Sequence, residues 1–509
     1  MAPPPRRPLG ADVFALRHAL ALSAALLPAA VAPAQPKKGP PPVADEADAV
    51  RAVEKLGGTV RYAPPREGLT RKEMIREPNR LTEGGVRGVT FEGPRLTNAE
   101  LKSAVKHLAA LKRLQSLTFT NTAVTDDGLK SLADLKKLQA IEIGPGKITG
   151  TGLAPLADLP ALRTVRMEGN HALTPAGVQA VARFKGLRTL TVTNSRFGDG
   201  DLKAVAGLDR LTELGLDGTA VTDAGLAAVT RLKALTAVSL NRTKVTGPGL
   251  KHLAELKELA AVGLSGTTVG DAGVAQLTGC PALADLDLSQ TRVTNARLKS
   301  LAGVKTLASL DLSGCAVGDA GLKELSGLAG LQTLLLNRTK VTDGGLTHLT
   351  RMSALARLEL GHTPITSAAG KELAGLRALS MLAVDGTKFG DAGLKELVKG
   401  PPGMYYLNLA NTPTTDAGVK LFAGRFTKLV QLVLDGTKTG DPAVTELGGL
   451  KALTYLSVGQ TGVTNAGGKV LKGMQQLEYL NVWQTRMGDG MVRELREALP
   501  YCLVIPTGP

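Results

Sequence analysis

Aromatic residues are scarce in this chain: Phe, Trp and Tyr make up 3% of 509 residues, and there is one Trp. A core must therefore be assembled from Leu, Val and Ala. Cysteine is scarce as well. Cys280, Cys315 and Cys502 are too far apart in phase and sequence to pair, and no ligand spacing surrounds them. That excludes a disulfide framework and a structural metal site. Catalytic signatures are missing: there is no GxSxG, HExxH or CxxC, and no GxGxxG in its proper context. The segment Gly144-Pro145-Gly146-Lys147-Ile148-Thr149 lacks the earlier glycine of a phosphate loop, because Ile141 stands there. His252 and His348 share a phase but are separated by about 20 Å at strand spacing, so they do not form a site. No enzyme, cofactor or metal is expected.

Long apolar runs are also missing, apart from one near the start. Arg6, Arg7 and Arg17 precede or open the apolar stretch Ala19–Ala32, and Ala32-Pro33-Ala34 offers a cleavage site before Gln35. This pattern predicts a signal peptide over residues 1–34 and an exported protein, in the periplasm or at the cell surface. An uncleaved anchor or an Ala/Pro-rich tail are the alternatives. No later segment is long enough to span a membrane.

The formal charge is +16. Removal of residues 1–34 takes away three arginines and one aspartate and leaves +14. Such a balance favours anionic partners. Nucleic acid is not expected, because basic residues are not clustered with interleaved aromatics.

What is abundant is a repeat. Units open at Val86, Leu114, Leu138, Leu162, Leu187, Leu211, Leu235, Leu259, Leu283, Leu307, Leu331, Leu355, Leu379, Met404, Leu429, Leu453 and Leu477. After the first, the period is 24 or 25 residues, with the consensus LxxLxLxxTxVTDAGLxxLxxLxx. The first half of each unit carries apolar residues two apart, a strand with one buried face. The second half, as in Leu346, Leu349 and Met352, carries them three apart, which makes an amphipathic helix or helical turns. Thr or Asp between the halves caps the helix start. The Gly after it is expected to serve the tight turn. A recurring Thr at the ninth position, from Thr219 to Thr485, reads as a hydroxyl ladder serving backbone groups at the bend. One unit alone cannot bury its apolar face, so the units must stack.

The units resemble leucine-rich repeats. Leu310–Leu322 and Cys280-Pro281-Ala282-Leu283 resemble the cysteine-containing subtype found in F-box proteins, although no stretch ahead of the repeats resembles an F-box. The resemblance implies an α/β leucine-rich repeat solenoid, a curved horseshoe with parallel strands on the concave face and helices on the convex face. It also implies a protein-binding role.

The expected organisation is a signal peptide over 1–34, then a linker and N-terminal cap over 35–85. A 17-unit solenoid over 86–500 and a closing strand and tail over 501–509 follow. Within the cap, Asp45–Leu56 reads as a helix, Thr59–Tyr62 as a strand and Ala63–Gly85 as an irregular loop. Met491–Leu499 reads as the last helix.

Three surfaces stand out. Tyr406, Gln431, Tyr455 and Tyr479 occupy the third position of the last units, and Trp483 the seventh. They form either a ligand surface for a protein or sugar, or packing for the C-terminal cap. Arg196, Lys244, Arg292, Lys340, Lys388, Lys438 and Arg486 occupy the tenth position of every second unit. They form either a track for an envelope polysaccharide or other anionic polymer, or an ordinary solvated edge. Asp285, Asp287 and Asp311 lie on the strand face, where Ca²⁺, a basic partner or water could meet them. The reading that combines these features is a non-catalytic scaffold binding an unidentified protein through the concave face. The alternative is an anionic polymer on the basic edge.

Overall fold

The computed structural model describes residues 46–62 and 85–506. The expected signal peptide and most of the expected linker lie outside them. The chain divides into two units, Met1–Thr268 with Gly279–Asp285, and Val269–Thr278 with Leu286–Pro509.

In the first unit, helix α1 (Ala47–Lys55) and strand β1 (Gly58–Tyr62) precede the repeats. β1 runs antiparallel to β2 (Val86–Glu92). From there β2, β3 (Ser116–Thr120), β4 (Ala140–Ile143), β5 (Thr164–Glu168) and β6 (Thr189–Thr193) pair in parallel, each with the next. Three-residue strands then follow at Glu213–Gly215, Ala237–Ser239 and Ala261–Gly263. A helix or 3-10 turn follows each strand. The fourth-position residues Val89, Leu117, Ile141, Val165 and Leu190 are all within 1% of full burial. Phe91 and Phe119 stack at 5.9 Å inside this core. The buried Glu46 carboxylate ties the cap to the repeats: it accepts the backbone N–H of Val86 at 3.1 Å and that of Lys112 at 3.0 Å.

The second unit repeats the same layer with three-residue strands, from Ser309–Asp311 to Tyr479–Asn481, all parallel. Helix Asp489–Ala498 and strand Leu503–Ile505 end it, the strand pairing parallel with Tyr479–Asn481. Both units are leucine-rich layers in which strands occupy one face and helical turns the other.

Three details explain why the repeat has this sequence. First, all eleven ninth-position threonines donate Oγ1 to the carbonyl of the residue three earlier, at 2.5–2.8 Å. The hydroxyls thus serve the bend as expected, each within its own unit. Cys315 differs, because its Sγ donates to Leu288 of the preceding repeat at 3.0 Å.

Second, where a threonine precedes the helix it does two jobs. Thr222 Oγ1 accepts the N–H of Ala224 at 3.2 Å and donates to Asp199 of the preceding repeat at 2.6 Å. The other oxygen of Asp199 accepts the Thr222 N–H at 2.8 Å. The same clasp recurs as Asp319 with Thr342, Asp343 with Thr366, and Asp441 with Thr464.

Third, the glycine of the AGL motif does not serve a tight turn. Gly225, Gly345 and Gly418 have no positive φ; a Cβ there would lie 2.2–2.3 Å from the clasping Asp oxygen of the previous repeat. These glycines make room for the neighbour. The left-handed residue is instead the eighth of the unit, as at Asn194, Gly218, Arg242, Gly314, His362 and Gln460. Gly, Asn and other polar residues recur at that position, which was the signal in the sequence for it.

Candidate functional site

On the strand face of the second unit, the third-position row runs Tyr406, Gln431, Tyr455, Tyr479 and Leu503, one per strand in direct register. Tyr455 and Tyr479 are half-buried and stack face to face, with centroids 4.2 Å apart and planes 1° apart. Trp483 lies in the turn after the last repeat strand, four residues beyond Tyr479, and is 41% exposed. Leu503 extends the row with 39% exposure. The structure therefore stacks Tyr455 on Tyr479 with Gln431 in the same row, and leaves Trp483 exposed at the end of the last repeat strand.

Tyr406 departs from the expectation of a surface ring. It is 4% exposed. Burial pushes its phenol well above the ordinary range, and the carboxylates of Glu359 and Asp385 add to the effect. Its row neighbour upstream is Met381, and an ion pair sits one strand further on. That pair is Arg357 with Glu359, both side chains 13% exposed, 2.5 Å apart. The exposed tyrosine of this repeat is its second-position neighbour, Tyr405, at 43%.

A polar network fixes the backbone beneath the aromatic pair. Asp435 accepts Ser457 Oγ at 2.7 Å, the Gly459 N–H at 2.9 Å and Asn481 Nδ2 at 3.0 Å. It thus bonds to the two strands that carry Tyr455 and Tyr479. Gly459 is required here, since a Cβ would lie 2.5 Å from Asp435 Oδ1. Burial raises the Asp435 carboxyl above its usual value although these bonds pull it down. Further along the face, Asp385 is raised in the same way by burial, and it accepts Asn408 Nδ2 at 3.1 Å. Buried polar groups that are satisfied across strands rigidify the surface.

The seven tenth-position cations are all exposed. Their backbones are not loose: six of them form parallel bridges to the helix-capping residue of the preceding repeat, as in Thr222 with Lys244 and Thr464 with Arg486. The side chains therefore project from a second, narrow ladder beside the main strands.

Asp287 accepts Ser289 Oγ at 2.7 Å and the Ser289 N–H at 2.9 Å, and Asp311 accepts the Ser313 N–H at 2.8 Å. Among the described residues no group of three or more His, Cys, Asp or Glu is placed to hold a metal ion. Cys280, Cys315 and Cys502 are not joined in disulfides, and burial pushes Cys280 up to about 11.

The family described as Leucine Rich repeat matches residues 305–326. No curated protein matches the chain in sequence. Among solved structures, an internalin (inlF) from Listeria monocytogenes is 19% identical with a TM-score of 0.49, covering 66% of this chain and 94% of that one. An LRR protein of Leptospira interrogans is also 19% identical with a TM-score of 0.46, covering 79% and 92%. The matched segment, Lys305–Ser326, falls within one period of the repeat and contains the strand Ser309–Asp311 and the helix Asp319–Leu325.

Proposed function

We propose that this protein is an exported, non-catalytic scaffold that holds a protein partner on its strand face, taken as the concave side, with the C-terminal repeats as the anchor. The observation that carries this reading is the stacked Tyr455–Tyr479 pair beside the exposed Trp483, held by the Asp435 network. Large aromatic side chains already fixed in place lose little freedom on binding, and such residues dominate interface energies. The apolar, arginine-led start of the sequence supports export to the periplasm or surface. Among the described residues no helix is long and apolar enough to cross a membrane.

The test is retention of envelope proteins on the chain at low and high salt, with and without Y455A/Y479A/W483A. A discrete protein held at high salt by the parent and lost by the triple variant supports the reading. Retention unchanged by the triple variant removes the C-terminal anchor.

The second reading is an anionic polymer along the tenth-position edge. It is favoured by the exposure of all seven cations and by the backbone bridges that six of them form. Spacing of roughly 10 Å between them puts each about one Debye length from the next at physiological salt. Binding through this edge would weaken steeply with ionic strength.

A further inference from the structure

A second concentration of positive charge lies apart from the tenth-position edge. It lies in the first repeats, where the chain returns from helix to strand. Second-position residues there form a hydrogen-bonded row: the Gln115 N–H donates to Arg87 O, Gln139 to Gln115, Arg163 to Gln139 and Arg188 to Arg163, at 2.7–2.9 Å. The row spans about 19 Å at strand spacing. In the following repeats of the same unit this position holds Thr212, Thr236, Ala260 and Ala284. From Ala308 onward it holds no Lys or Arg at all. Cationic second-position residues are thus confined to the first repeats.

Two adjoining clefts open along this row. One, of about 380 Å³, is lined by Arg61, Arg87 and Arg163 with Gln115, Gln139 and Tyr62. The other, of about 370 Å³, is lined by Arg87, Lys112, Arg113, Lys136 and Lys137. No Asp or Glu lines either cleft among the described residues. Four of these side chains bond to neutral oxygens. Arg61 donates to Ser116 Oγ at 2.9 Å, Arg163 to Leu162 O at 2.8 Å, Lys136 to Ala133 O at 2.7 Å and Lys137 to Lys112 O at 3.2 Å. These bonds orient the cations without neutralising them.

We infer that the paired clefts are a binding site for a linear acidic polysaccharide, carboxylated or sulfated. The guanidinium forks of Arg87 and Arg163 stand three strands apart and match carboxylate or sulfate oxygens. Between them, the amides of Gln115 and Gln139 both donate and accept, which suits sugar hydroxyls. One tyrosine and no interleaved aromatics argue against a nucleic-acid strand, which needs stacking platforms. The site is separate from the C-terminal aromatic surface and from the tenth-position edge, and it stands or falls independently of both.

The experiment titrates the full chain with a heparin-type oligosaccharide and with oligogalacturonate by calorimetry at low and physiological salt. The expected result is salt-sensitive binding of at least one glycan, reduced about tenfold by R87Q/R163Q and severalfold by R61Q. K323Q/K395Q, two exposed cations on helices of the second unit, should leave that affinity unchanged. R61Q changes an exposed side chain on β1, so it reports even if R87Q/R163Q lowers the melting temperature. Failure of both glycans to bind overturns the inference. So does an equal loss in K323Q/K395Q, which would mean diffuse charge. Tighter binding of a poly-glutamate peptide than of either glycan also overturns it, in favour of an acidic protein segment.

Discussion

The first repeats and the last repeats are built on one pattern but end their strands differently. Strands β2 to β6 have four to seven residues, whereas each strand from Glu213–Gly215 to Tyr479–Asn481 has three. The sixth-position carbonyl decides. In β3, Phe119 O accepts the N–H of Gly144 on the next repeat at 2.8 Å, so the ladder continues. In the later repeats the same carbonyl turns inward: Leu336 O takes the Thr339 hydroxyl at 2.7 Å. One side-chain hydroxyl thus trades ladder length for a fixed bend. The faces diverge accordingly. The long-strand end presents cations at its edge, and the short-strand end presents aromatics and buried carboxylates.

The sharpest way to break this comparison is through the core position that both kinds of repeat use. Leu117→Ala and Leu407→Ala each empty a fully buried fourth position. Each should cost about 3 kcal/mol in denaturant unfolding. A silent substitution at either site would mean that the fourth position does not carry the core of that repeat.

Next in size is the loss of partner binding in Y455A/Y479A/W483A. It should exceed tenfold, about 1.4 kcal/mol or more, while R87Q/R163Q leaves it intact. Equal losses from both would erase the functional division between the ends.

Acid separates the outer clasps from the strand face. Burial alone would raise Asp126, Asp223 and Asp441, but hydrogen bonds from the threonine and the following backbone outweigh it and hold them below the usual value. A carboxyl depressed in the folded state stabilises above its unfolded pKa, about 3.9, and that contribution is lost as pH falls through the folded value. Asp385 and Asp435 are raised, so their contribution has the opposite sign: it is lost as pH rises through the folded value and recovered on acidification. Melting temperature followed from pH 7 to pH 3 should therefore fall. Asp223→Asn should blunt the fall and Asp435→Asn should deepen it. Both variants shifting the profile the same way would contradict the assignment.

The smallest effect tests the bend itself. Thr339→Val removes one buried hydroxyl bond and should cost about 1 kcal/mol. No change in stability would show that the bend does not depend on this hydroxyl.

Much of this architecture was legible in the residues. The period of apolar positions marks strands and helical turns because burial follows backbone periodicity. The ninth-position Thr and the capping Thr announced themselves by recurrence, and their bonds are local. Helix α1 and strand β1 were readable for the same reason. The AGL glycine was misread, because its constraint comes from Asp199 or Asp319 on the preceding repeat rather than from its own turn. Tyr406 was misread for a similar reason. Its repeat position equals that of Tyr455, and only the folded surroundings, with Glu359 and Asp385 near enough to act on its phenol, set it apart. The cationic clefts were not readable, because their arginines and lysines come from β1 and from three different repeats, each unremarkable in its own segment.

The sequence by itself determined the repeat, its strand and helical halves and the residues that serve each bend. These depend on contacts within a few positions of the chain. Only the tertiary structure decided which rings are open, which glycines are obligatory and where positive charge gathers. Those properties belong to the strand spacing, which places residues 24 or 25 apart in sequence within side-chain reach of one another.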